Sequence, residues 1–596
     1  MEVLTTYLKE IMEDKDINTD EVILEKSKDN KNIFKVKYNE KFKYIGSKYN
    51  VQQDIDNLCE DFKDINLDTI IIIFGLSTGE HIKKIKEILN KFNRVLVIEP
   101  DKRVLKSFLT LEKSKDILED ERISIIAFEE KNLKDYIAGF IGHESNYNNI
   151  KVRFYANYDK LYLSEYTSFL RTLKDTLRFI ETNVVTETIL GKNFMESYLN
   201  NIKHISDSYT INDVKDKFKG FTAIIVSAGP SLEKNIHNLR NLKDNAIIIC
   251  GNRTLKPLME SGITPHFMCA VDCNDLLYEM TSDYLYKGVP LVFTETTNPK
   301  LVEAQEGPKL FFKYGVVDTN IENVFGKTIG SLYSGGSVAH SSIDFAKYLG
   351  CTSIIFIGQD LAYTENKHHA NIAETSGDKN LNYNQDLIKV KSIDGGTVHT
   401  TRVLDGFRKN FEEYIEEEKE IKFINATEGG ANIEGTEVMT LEEAINKYAV
   451  KPGVSKTISE VLSLKNSVNE NKDIIKKNLI RDYESIIEMG KTLEKLRKTI
   501  KDSLDSKSTK KIKKTQRLIA DVNKKLDNDS YMKFLNFLTL EIINRSPVYF
   551  RYEESKVEIE NAKNILKGFY KLYGDFIKCI EDVKAKIEAC ITEQDL

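Results

Sequence analysis

The 596-residue chain is 41% apolar and 30% charged, enough to bury several cores and too apolar for a disordered protein. A net charge of -6 and a pI near 6.0 leave no basic field for nucleic acid. Seven scattered cysteines form no disulfide framework, the opening MEVLTTYLKE lacks the order of a signal peptide, and the longest apolar run, Thr69 to Leu76, falls short of the ~20 residues that span a bilayer. The expectation is a cytoplasmic, soluble protein without membrane insertion, of three to five domains at about 100–200 residues each.

Gly and Pro crowd into residues 221–450 and are sparse on either side. This predicts an N-terminal α/β domain over 1–205, a central loop-rich α/β domain over 206–450 and a C-terminal helical domain over 451–596. The alternation IFKVKYNEKFKYI, Ile33 to Ile45, predicts a hairpin turning at Asn39 and Glu40. TIIIIFGLSTGEHIKKIKEIL and RVLVIEPD then predict a strand, a glycine turn, an amphipathic helix and a second strand: a Rossmann-like βαβ unit on a buried parallel sheet. Glu99 lies where a nucleotide-binding unit places its ribose carboxylate, but with only Gly75 and Gly79 in the turn the unit reads as structural, without cofactor. Leu161 to Ile205 reads as helix.

The centre alternates strand and helix. Strands fall at Phe221–Val226, Ala246–Cys250 and Phe267–Val271, then at PLVFT, KLFFKY, SIIFIG and KFIN, with helices from Ser231 and Arg253. That rhythm predicts a doubly wound Rossmann-like sheet with chemistry outside the carboxyl ends of its strands. After Pro452, apolar residues recur at helical spacing, and the basic stretch Lys507 to Arg517 reads as a solvated helix face or link.

Six strand-end segments carry candidates. In SAGPSL, Gly229 admits an anion close to the backbone, Pro230 suits a first helical turn and Ser231 offers a hydroxyl; the alternative is an ordinary strand–helix turn. Asn252, in CGN, either hydrogen-bonds a nucleotide or caps the next helix. The SGGS loop, with Gly335, Gly336 and Ser337, opens another helix. In IGQDLAYTENKHHA a strand ends in Gln359 and Asp360, followed by Tyr363, His368 and His369; histidine is the side chain suited to general-base work at neutral pH. Asp272 and Asp275 in AVDCND are the candidates for Mg²⁺, against a loop aspartate and a helix cap. Cys269 and Cys273 lack the second pair a zinc site needs. Thr427 and Glu428 lie in FINATEGGANIEGTEV, a loop placed to close over a ligand.

Together the stretches FTAIIVSAGPSL, CGNRTLKPLMESGITPHFMCAVD, GGSVAHSSIDFAKYLGC, IGQDLAYTENKHHA and INATEGGANIEGTEV resemble the motility accessory factor family of bacterial flagellin glycosyltransferases. The central domain is similar in turn to bacterial CMP-sialic acid transferases. The resemblance implies inverting transfer of a nonulosonic acid, such as pseudaminic or legionaminic acid, from a CMP-activated donor to Ser or Thr hydroxyls of flagellin. It implies Gly229 and Ser231 against the phosphate, Asn252 against the nucleotide, Ser337 facing the donor, Tyr363 near the leaving phosphate and His369 as base, with His368 the rival. Pro230, Gly335, Gly336, Gln359, Thr427 and Glu428 complete the implied donor site and Asp360 the catalytic set. No tightly bound cofactor is implied, and Mg²⁺ is not required. The competing readings are an ATP- and Mg²⁺-dependent pyrophosphokinase related to the pterin enzymes, a methyltransferase built on the first βαβ unit, and a non-catalytic flagellin-binding chaperone.

Overall fold

The computed structural model describes residues 2–112, 114–142, 149–285, 288–314, 320–363, 369–373, 387–463, 472–528, 535–553 and 555–593. They form two compact units: Met1–Ile189 with Leu493–Val522 and Leu540–Ile577, and Leu190–Thr492 with Asn523–Thr539 and Lys578–Leu596. Among the described residues no helix is long and apolar enough to cross a membrane.

In the first unit, β1 (Val22–Lys26), β2 (Asn32–Tyr38) and β3 (Lys41–Tyr44) form an antiparallel sheet. The predicted hairpin is β2–β3, with Asn39 and Glu40 in the left-handed region at φ 48° and 63°. A parallel sheet follows in the order β6-β5-β4-β7, from β4 (Ile70–Phe74), β5 (Arg94–Glu99), β6 (Ile123–Ala127) and β7 (Ile150–Phe154). Every residue of β4 is buried, as an uninterrupted apolar run requires of a strand covered on both faces. The unit's would-be nucleotide turn is filled by its own chain: a Cβ on Gly75 would lie 2.4 Å from the Tyr158 ring. Glu99 is fully buried and accepts from Leu76 N at 2.8 Å, Ser77 N at 3.3 Å, Asp101 N at 3.1 Å and the Tyr158 hydroxyl at 2.7 Å. Its carboxylate is turned to the chain, not to an open groove.

The second unit is built on nine strands in the order β18-β17-β14-β9-β10-β11-β12-β13-β8. They are β8 (Tyr209–Thr210), β9 (Thr222–Val226), β10 (Ala246–Gly251), β11 (Phe267–Ala270), β12 (Leu291–Phe293), β13 (Lys309–Phe311), β14 (Ser353–Ile357), β17 (Lys422–Asn425) and β18 (Glu437–Val438), and all adjacent pairs are parallel. From β9 the chain proceeds outward through β10 to β13, then returns to β9's other side as β14. The topological switch point is therefore between β9 and β14, where open sheets of this kind bind ligands. A hairpin not foreseen from the sequence, β15 (Ile388–Lys391) and β16 (Thr397–Thr400), interrupts the alternation.

The tail is helical, with helices Lys472–Leu504, Thr509–Asn528 and Glu558–Glu593. Its residues divide between the two compact units. The α/β units supply partners to it: Arg551 pairs with Asp68 at 2.6 Å in the first, and Asp482 accepts from Asn320 at 3.1 Å in the second.

Candidate functional site

The two strands at the switch point end in turns that interlock. Beyond β9, Gly229 N donates to the Gly358 carbonyl at 2.7 Å. A Cβ on Gly229 would lie 2.5 Å from that carbonyl and 2.3 Å from Asp360 Oδ1; one on Gly358, at φ +61°, would lie 2.1 Å from Ser227 O. Only glycine lets the turns approach so closely. Ser231 donates to the Asp360 carboxylate twice, from N at 3.1 Å and Oγ at 2.5 Å, with both residues at 1% exposure or less. The Ser231 hydroxyl thus faces Asp360 and spends its proton on that carboxylate. The helix that follows is a single turn, Leu232–Asn235, continued as a 3-10 helix, so the dipole expected there is small.

Neighbouring strand ends complete the edge. The Ser227 hydroxyl donates to Gln359 Oε1, Gln359 N to Thr427 Oγ1 at 3.3 Å, and Thr427 N to Asn425 Oδ1 at 3.1 Å. Glu428 is exposed, and its carbonyl accepts from Lys234 Nζ at 3.0 Å. At the end of β10, Gly251 occupies the cap position of the helix Asn252–Glu260 and Asn252 is its first residue, so Asn252 is not the cap. Its side chain is 6% exposed, and Nδ2 has no hydrogen-bond partner among the described residues. A buried amide donor left unpaired is costly and marks a place where an acceptor fits. Thr254 Oγ1 ties this helix to the end of β9 through Val226 O at 3.1 Å.

The helix Val338–Tyr348 begins beside Gly251, whose added Cβ would meet Val338 Cγ1 at 3.1 Å. Ser337 caps it, accepting from Ala339 N at 3.4 Å. Gly336 is left-handed at φ +86°, and Gly335 packs on the His340 ring, which a Cβ would approach to 2.5 Å. Sequence reasoning passed over His340: it is fully buried, stacked 4.0 Å from Phe411, and held neutral by burial with a pKa near 4.

The histidine segment lies against the first turn. Ala370 N donates to Ala228 O at 2.9 Å, which sets the half-buried His369 next to the β9 turn; His368 is outside the described residues. Tyr363 N donates to His399 O at 2.8 Å, and Thr400 Oγ1 to Leu361 O at 2.7 Å, so the unforeseen hairpin holds the start of this loop. Asp272 and Asp275 stand apart. Asn274, not Asp275, caps the next helix, and the Asp275 carboxylate is taken by Asn298 Nδ2 at 2.9 Å and Lys300 Nζ at 2.8 Å. The Lys300 hydrogen bond holds Asp275 below the usual carboxylate range. Among the described residues no group of three or more His, Cys, Asp or Glu is placed to hold a metal.

Fold and site define a doubly wound α/β protein in which the Gly229–Ser231 and Gly358–Asp360 turns meet at the switch point of a nine-stranded parallel sheet. The family model described as 6-hydroxymethylpterin diphosphokinase MptE-like matches residues 196–366, which include both switch-point turns. Over the whole chain, the protein shares the fold of the Maf glycosyltransferase from Magnetospirillum magneticum AMB-1, at a TM-score of 0.64 and 14% identity, covering 100% of each chain. The resemblance read from the sequence holds at the level of the fold. No curated protein matches the chain.

Proposed function

We propose that the protein is a glycosyltransferase that moves a nonulosonic acid from a CMP-activated donor to Ser or Thr hydroxyls of flagellin in the cytoplasm, with inversion, in support of flagellum assembly and motility. The observation that carries this reading is the convergence, at one sheet edge, of the His369 segment, the Gly229–Ser231 turn and an unpaired, buried Asn252 amide. The shared fold with a Maf glycosyltransferase supports it.

In the proposed reaction the acceptor hydroxyl attacks the anomeric carbon as His369 takes its proton. The bond from that carbon to the phosphate oxygen breaks, and CMP leaves with the electron pair. A positioned base contributes about 10²–10⁴-fold. Backbone donors of Gly335–Ser337 and the Tyr363 hydroxyl are assigned to the charge growing on the leaving phosphate. Asp360, named with the catalytic set, holds Ser231 and so shapes the turn.

The family-model match favours a second reading, an ATP- and Mg²⁺-dependent diphosphokinase. The engagement of Asp275 by Lys300 and Asn298 weighs against its metal site. Thermal unfolding with CMP or CDP, with ATP plus Mg²⁺, and with S-adenosylmethionine separates these. A ligand at 100 times its dissociation constant stabilises by about 2.7 kcal/mol. CMP and CDP are expected to raise the midpoint; a rise with ATP plus Mg²⁺ alone would replace glycosyl transfer by diphosphoryl transfer.

A further inference from the structure

Directly after His369 and Ala370 the chain makes one 3-10 turn, Asn371–Ala373. Its amino end rests on Glu233: the carboxylate accepts from Asn371 N at 2.5 Å, Ile372 N at 3.4 Å and Asn371 Nδ2 at 3.5 Å. Its carboxyl end meets Arg253, whose Nη1 donates to Ala373 O at 3.5 Å. An anion thus faces the turn's leading N–H groups and a cation its last carbonyl, the charge order that the peptide dipoles favour. The two charges come from different elements. Glu233 belongs to the turn of helix after β9, and Arg253 to the helix after β10. These strand ends also carry Gly229, Ser231 and Asn252.

We infer that Glu233 and Arg253 form an ionic bracket that positions His369, with the Ala370–Ala228 hydrogen bond as its fixed edge. Neither is assigned a chemical step; both are positioning residues, and the inference rests on the reading of His369 as base. The bracket matters because proton abstraction requires the imidazole within about 2.6–3.2 Å of the hydroxyl. A displacement of about 1 Å is enough to lose roughly 10²-fold in rate. Glu233 is exposed, so replacing it leaves the sheet core intact.

The test uses the full chain with Glu233→Lys, Glu233→Gln and Arg253→Gln. The first readout is amide hydrogen exchange over residues 369–373, which needs no substrate. Exchange at Asn371 and Ile372 should speed up by about tenfold or more in Glu233→Lys, since each bond to a charged acceptor is among the stronger kinds. Glu233→Gln, which keeps an acceptor oxygen, should fall between, and peptides covering β9 and β14 should not change. The second readout is transfer from a CMP-nonulosonic acid. In Glu233→Lys, kcat should drop about 10- to 100-fold with the donor KM unchanged, with partial recovery in Glu233→Gln.

Unchanged exchange in Glu233→Lys overturns the bracket, whatever happens to transfer. Faster exchange with unaltered kcat overturns the positioning of a base by this segment. If the wild-type chain transfers nothing from a CMP donor, the proposed reaction falls, and the exchange result still decides whether the bracket exists.

Discussion

Gly229 has no room for a methyl group, because Gly358 O and Asp360 Oδ1 would stand 2.5 and 2.3 Å from its Cβ. Neither neighbour gives easily: one is backbone, and the other is a buried carboxylate bonded to Ser231. Gly229→Ala should therefore destabilise the second unit by about 1–3 kcal/mol through overpacking, and chemical denaturation should record it. It should also abolish stabilisation by CMP. A variant that keeps both stability and the CMP shift would remove the switch point as the donor site. A different residue contributes to the pH response of the first unit, against the opposite slope of the buried His81, which burial pushes down to about 3. Burial, the dominant influence, pushes the Glu99 carboxyl up to about 8, against the four donors that favour its charged form. A carboxyl whose folded value exceeds its unfolded one holds its proton in the native state after the unfolded chain has released it. Its contribution is full below about pH 4.5 and is lost as pH rises to about 8. Glu99→Gln should flatten this slope in urea midpoints of the first unit measured from pH 5 to 8; an unchanged slope would locate the titration elsewhere.

At the scale of elements, the helix Val338–Tyr348 lets two roles of one residue be separated. Ser337 caps that helix, while the proposed function also sets it against a phosphate. Asp caps about as well as Ser and suits a helix N-terminus, but repels an anion. Ser337→Asp should therefore unfold within about 0.5 kcal/mol of wild type and lose most of its CMP affinity in calorimetry; undiminished affinity would turn the loop away from the donor. The strands were legible where they are continuous apolar runs, as in IIIIF and AIIICG, because a strand covered on both faces leaves no polar position. The hairpin IKVK and TVHT was not read, although its alternation and the Asp394–Gly396 turn carry the signal. The candidate segments were found one by one from their strand-end places. Their pairing was not: Ser231 meets Asp360 across 129 residues, and Gly229 needs Gly358, contacts set by strand order and absent from local pattern. Glu233 likewise carries no local signal in the sequence. Its function depends on a turn 138 residues further on.

At the scale of the whole molecule, the tail contributes residues to both compact units. Residues 493–522 and 540–577 belong to one compact unit, and 523–539 and 578–596 to the other. In the first, Arg551 pairs with Asp68 at 2.6 Å, with both side chains at 20% exposure or less. In the second, the 1%-exposed Asp482 accepts from Asn320 and is paired with Arg481 at 2.8 Å. Removing residues 451–596 strips apolar partners from both units and leaves Asp68 and Asn320 without these partners. A chain ending at 450 should therefore show faster hydrogen exchange in both parallel sheets, by much more than the few-fold changes of a fraying terminus. Loss of acceptor binding by such a truncation would report unfolding and not a lost docking surface. Single charge reversals at exposed tail positions, which leave stability within about 0.5 kcal/mol, test whether the tail takes part in acceptor binding without that unfolding. Native exchange in the β9–β14 region of the truncated chain would overturn this account and restore the tail as an independent domain that can be deleted to test flagellin binding.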